Sequence, residues 1–236
     1  ISIRLVGSEM CIRDSILPLT CIFLIPTLHR TVMPERFVEH YGGGTWFKAA
    51  FLHTFTFLAL SFLLVNPPFG DIAAPELASK WTVVSDDGEE LVYPHSMATS
   101  GDTLTWHTDG SPILEGEAWL LFGLMDNVNS DGAVVEVTRE YQANKTIQED
   151  NISYWNSNAE RIANGTSTSN KSAPNLTPHG DLDQPFSIYL GTDLEEGTHK
   201  IVVTITEEGD PWQNVQQYTW NLVISSESAV QDSMSE

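Results

Sequence analysis

The hydrophobic pattern of this chain changes period once, and that change limits what it can fold into. Ala49 to Val65 is a run of 17 residues without a formal charge, ended by Asn66-Pro67-Pro68. A run of this length suits a short membrane-spanning helix. Beyond a Pro/Gly/Ala-rich link, Pro67 to Pro75, apolar and polar residues alternate and β-formers dominate. Period-two alternation suits half-buried strands. The pattern predicts one N-terminal transmembrane helix followed by a mainly β domain, a single antiparallel β-sandwich.

Eight strands are expected: Trp81–Val84, Glu90–Tyr93, Thr103–Thr108, Ala118–Met125, Ala133–Tyr141, Pro185–Leu190, His199–Thr206 and Val215–Ile224. Turn-forming runs such as Asp86-Asp87-Gly88, Ser100-Gly101-Asp102 and Asn129-Ser130-Asp131-Gly132 separate most of them. Ile201, Val203 and Ile205 fall on one face of their strand, and the even positions from Tyr218 to Ile224 on one face of theirs. No long amphipathic helix is evident beyond Val65. The sandwich is expected over residues 80–226, with a linker at 67–79 and a flexible acidic tail at 227–236. Residues 142–184, rich in Asn, Ser, Thr and Gly, form a polar insertion without clear periodicity.

Charge sets the orientation. Arg30, Arg36 and Lys48 precede the end of the apolar run, and no Lys or Arg follows it until Lys80. By the positive-inside rule, the leader (33–48) is cytoplasmic, residues 49–66 span the membrane, and the C-terminal domain is extracellular. The formal net charge is −21, and residues 75–236, with 6 basic against 27 acidic residues, carry all of it. That excludes nucleic acid as an expected partner, because such binding needs a basic face. The small residues Ile72-Ala73-Ala74 leave a cleaved signal open beside a retained anchor.

Five Asn-x-Ser/Thr sequons lie in the insertion, at Asn144, Asn151, Asn164, Asn170 and Asn175. Such acceptors are used only outside the cytoplasm. Pro178 directly after the last triplet makes Asn175 the poorest of the five. The two cysteines, Cys11 and Cys21, both precede the apolar run, so the exported domain holds no disulfide.

Leu5 to Ser15, LVGSEMCIRDS, resembles the in-frame translation of a sequencing-library adaptor. Residues 1–32 are then either read-through before an initiator at Met33 or the tail of a truncated transmembrane helix. Ile16 to Leu28 is apolar but interrupted by Pro18 and Pro26.

Chemistry is sparse. No Gly-x-Ser-x-Gly, His-Glu-x-x-His or P-loop pattern occurs. His95, His107, His179 and His199 are scattered without metal-ligand spacing, and His107 and His199 are expected at the surface or a sheet edge. No catalytic residue is assigned, and the chain is not expected to be an enzyme. The best cation candidate is Asn127-Val-Asn129-Ser-Asp131-Gly132, which approaches a calcium loop with oxygens at alternate positions. Its ligands would be Asn127, Asn129 and Asp131, with Asp126 as a substitute; a plain hairpin connection is the other reading. Trp155 and Trp212, on expected loops, are the candidates for stacking on sugar. Trp81, Trp106, Trp119 and Trp220 are expected in the core.

The run from Leu194 through Gly197, His199, Ile201, Val203, Ile205 and Glu207 to Gly209-Asp210 resembles the penultimate strand of Ig-like domains of the PKD and related bacterial and archaeal surface families. Gln216 to Ser225 sits where their last strand would be. The likeness covers roughly 30 residues, and Glu207 stands where those families usually have aspartate. It implies an Ig-like sandwich in a membrane-anchored surface protein with a structural or adhesive role. The rival is an extracellular module binding carbohydrate or calcium. Expected partners are the membrane and envelope proteins, surface proteins or glycans.

Overall fold

The computed structural model describes residues 21–64, 66, 69–126, 132–148, 152–167, 171–210 and 212–228. The chain divides into two units, residues 1–70 and 71–236.

The first unit is helical. A 3-10 turn at Cys21–Leu24 leads into α1 (Ile25–Val32). Pro26 does not interrupt this helix, because it sits in the first turn, where its missing N–H has no intrahelical partner to lose. A short α2 (Glu35–Val38) and then α3 (Gly43–Leu64) follow. The α3 helix starts six residues before the apolar run, since Thr45, Trp46 and Phe47 continue its uncharged character and Lys48 alone does not stop it. Its 22 residues rise about 33 Å, enough for a hydrocarbon core of about 30 Å. It is the one described helix long and apolar enough to cross a membrane, and none of it is buried. Tyr41 and Trp46 meet edge to face at its N-terminal end, 5.3 Å between centroids, with His29 against both rings.

The second unit is mainly β. All eight expected strands form, five of them longer than expected and three (β2, β3 and β5) shorter, and a ninth joins them: β1 (Glu76–Asp86), β2 (Leu91–Val92), β3 (Thr103–His107), β4 (Ile113–Met125), β5 (Val134–Tyr141), β6 (Asn144–Gln148), β7 (Gln184–Glu195), β8 (Gly197–Glu207) and β9 (Asn214–Ser225). They make a four-stranded sheet, β2-β1-β4-β7, and a five-stranded sheet, β3-β9-β8-β5-β6. Among the described strands every strand-to-strand pairing is antiparallel except β3 with β9, which run parallel. The all-antiparallel expectation fails at that edge.

One core lies between the sheets. Val83, Leu120, Phe122 and Ile188 from the first meet Ile201, Val203, Ile205, Leu222 and Ile224 from the second. Trp81 of β1 stacks on Trp220 of β9 at 4.7 Å, with planes 9° apart. The inward residues of β8 and β9 are those their alternation indicates.

The insertion is not a structureless loop. Tyr141 and Asn144 close a β5–β6 hairpin around Gln142 and Ala143, both at positive φ. A two-residue turn of that geometry matches strand twist, but it usually carries Asn or Gly, so this sequence does not announce it. Helix α4 (Ile152–Asn164) follows. With Leu176 it covers the outer face of the four-stranded sheet, building a second core of Val84, Leu91, Tyr93, Met97, Trp119, Leu121, Ile162 and Leu176. For this reason β1 and β4 are buried on both faces along much of their length, where half-burial is expected. Gly123 of β4 is required here: a Cβ would run into the main-chain carbonyl of Leu176.

Candidate metal centre

Three carboxylates converge at one end of the β unit. Asp71, Asp126 and Glu207 each offer an oxygen, and all three oxygens lie within 4.8 Å of one another. Each is held by backbone structure. Asp71 forms a two-bond bridge with Asp210, its N–H donating to Asp210 O at 2.9 Å and its carbonyl accepting from Asp210 N at 2.9 Å. Asp126 follows directly on β4, whose Met125 pairs with Glu76. Glu207 is the last residue of β8 and pairs with Asn214 of β9. Asn214 Nδ2 donates to the carbonyls of Asp71, at 3.3 Å, and Ala73, at 2.8 Å, closing the segment over the sheet end. Gly209 lets the chain pass: a Cβ there would meet Asn214 Nδ2 and the carbonyls of Asp71 and Trp212.

Glu207 dominates the electrostatics. It is 4% exposed, and its Oε2 has no hydrogen-bond partner. Burial, followed by the charges of Asp126 and Asp71, pushes its carboxyl up to about 7, against a weaker lowering by Asn214. Two unit charges at the outer limit of 4.8 Å repel by roughly 3–4 kcal/mol at an effective dielectric of about 20. That repulsion falls most heavily on buried Glu207, and a proton or a cation there relieves it. These are the described residues with the geometry to hold a metal ion.

The expected calcium ligands Asn127, Asn129 and Asp131 lie outside the described residues. Asp126, the substitute ligand, is in the cluster. The pattern that marks Glu207 is the period of β8: His199, Ile201, Val203, Ile205 and Glu207 all fall on its buried face, so a carboxylate ends an inward row. Asp71 gives no such signal, because it sits in the link.

The other candidate residues are dispersed. Asn144, at the start of β6, Asn164, at the end of α4, and Asn175 are exposed, as a sugar acceptor must be; Asn151 and Asn170 lie outside the described residues. Trp155 is not on a loop. It lies on α4 and packs, half-buried, against the second core. Trp212 is 48% exposed in the β8–β9 connection. Among the described residues no ring contact joins the two.

His199 is not at the surface. It is fully buried and stacks on Tyr141 at 4.2 Å. Its Nε2 lies 2.8 Å from Glu195 O, and its Nδ1 lies 3.1 Å from Arg139 Nη1. Arg139 can only donate, so Nδ1 accepts and Nε2 carries the proton. Burial lowers the pKa of this imidazole, so it is a neutral structural link.

Against known protein families and curated proteins, the chain matches none.

Proposed function

We propose that this is a single-pass membrane protein that displays an acidic, N-glycosylated Ig-like domain on the outer face of the cell envelope, in a structural or adhesive role. The observation that carries the reading is α3: an apolar helix with no buried residue, flanked by Arg30, Arg36 and Tyr41 on its N-terminal side and carrying Lys48 and Trp46 in its first two turns. Basic residues mark a cytoplasmic flank, and Trp and Tyr favour the headgroup level.

The strand order supports the Ig-like reading. β1-β4-β7 corresponds to A-B-E of an Ig domain, and β9-β8-β5-β6 to G-F-C-C′. In this correspondence α4 occupies the stretch between C′ and E, and β3 runs parallel to the last strand. Fold alone does not give a function, so the role rests on placement, charge and the exposed sequons. The acidic cluster favours a second reading, an extracellular module that binds a cation. Carbohydrate binding has weaker support, since Trp155 is engaged in packing.

Intact-mass measurement of the protein from its native membrane, before and after enzymatic deglycosylation, tests the placement. A mass that drops by whole glycans is the expected result. An unmodified chain in a cell that glycosylates other exported proteins would count against it.

A further inference from the structure

We propose that Asp71, Asp126 and Glu207 form a calcium site that clasps the segment just after the apolar helix onto the ends of β4 and β8. The geometry fits one ion. Oxygens on opposite sides of Ca²⁺, bound at about 2.3–2.6 Å, stand about 5 Å apart, and these three lie within 4.8 Å. The second observation is Glu207 itself. It is 4% exposed, its Oε2 has no partner, and its carboxylate faces the other two. An oxygen so buried needs a partner, and a cation seated among the three carboxylates supplies one.

Calcium suits the donor set. Three carboxylates supply a charge of −3 and three to six oxygens, and water or main-chain carbonyls complete the six to eight that Ca²⁺ takes. Magnesium requires near-octahedral geometry at about 2.0–2.1 Å and gives up water reluctantly. The ligands come from three places: Asp71 from the link, Asp126 from the end of β4 and Glu207 from the end of β8. Binding joins them. Asp71 is the first residue of the β unit, so the ion adds a third tie to a segment that the Asp210 bridge and Asn214 already hold. The inference deepens the cation-binding reading, and it is independent of the glycosylation test because binding is measured on purified protein.

The experiment is calorimetric titration of the full chain in detergent with CaCl₂ and, separately, MgCl₂, together with thermal unfolding. Wild type, Glu207→Gln and Asp126→Asn are compared, each checked for β structure by circular dichroism. Saturable Ca²⁺ binding is expected, with a dissociation constant of about 10⁻⁴–10⁻³ M, as in extracellular modules. At a hundredfold excess over that constant, the midpoint of unfolding should rise by about 5–10 °C. Each variant should bind at least about tenfold more weakly. No binding, an equal response to Mg²⁺, or unchanged binding in both folded variants overturns the proposal; the last outcome would assign the calcium to the general acidic surface.

Discussion

Tyr154 of α4 lies flat on Trp119 of β4, with ring centroids 3.8 Å apart and planes 7° from parallel. The same tyrosine donates its hydroxyl to Asp86 Oδ2 at 2.7 Å, and Arg161, two turns further along the helix, reaches both Asp86 oxygens, at 2.6 and 2.9 Å. One ring and one buried carboxylate thus fix the helix of the polar insertion to the sheet. Removing either should loosen it. Tyr154→Ala forfeits the stack and the hydrogen bond and should cost about 2–4 kcal/mol. Arg161→Ala leaves Asp86 without its main partner; because Arg161 is itself about one-third exposed, the expected cost is about 2–3 kcal/mol. Chemical denaturation of each variant measures both. A loss below about 0.5 kcal/mol in both, the size of an ordinary surface change, would mean that α4 does not rest there.

The segment around Leu176 is pinned by shape. Gly123→Ala places a methyl group against the Leu176 carbonyl and the Thr177 side chain. An overpacked site of this kind should lose about 1–3 kcal/mol. The equivalent change at Gly110, which has open space around it, tests a different cost, because its positive φ strains any side chain without a clash. Hydrogen exchange should show the Gly123 variant opening first at 173–177.

Two carboxylates respond to pH with opposite sign. Burial alone would raise the Asp86 carboxyl, but hydrogen bonds from Arg161, Tyr154 and the Gly88 amide outweigh it and hold it below its ordinary 3.8. Its contribution is present above that value and is lost as pH falls further. Glu207, raised from 4.5 to about 7, keeps a proton in the folded state that the unfolded chain has released. Stability of the metal-free protein should therefore fall as pH rises from about 4.5 to about 7, by up to about 3 kcal/mol. Denaturation in chelator across that window should show the decline, and Glu207→Gln should flatten it. A slope identical in the two proteins would remove Glu207 as its source.

The apolar helix can be tested by one charge. Phe55 is exposed near the middle of α3, and Phe55→Arg should cost about 3 kcal/mol of membrane insertion. Carbonate extraction should then move a large share of the chain from the membrane to the soluble fraction. Retention equal to wild type would mean that this helix is not what holds the protein.

The strands were legible because their inward and outward faces alternate: Ile201, Val203 and Ile205 on β8, Trp220 and Leu222 on β9. The helix α4 was not, because its apolar residues are few. Tyr154, Trp155 and Ile162 carry its buried side, amid Asn, Ser and Glu that read as loop. That same missed helix explains why β1 and β4 are buried on both faces. At the cation site, Asp126 was visible as a carboxylate beside a calcium-like loop. Asp71 was not, because it is brought there by a bridge to Asp210, 139 positions away in sequence, which no local pattern encodes.

Labelling from outside the cell tests the topology most directly. In a chain with Cys11→Ser and Cys21→Ser, a single cysteine is placed at Leu182→Cys, where the side chain is 77% exposed, or at Phe37→Cys in the leader. A membrane-impermeant maleimide applied to intact cells should modify the cysteine at 182 and reach the one at 37 only after permeabilisation. The reverse pattern, or protection of both sites in intact cells, would contradict an anchored protein with its β domain outside.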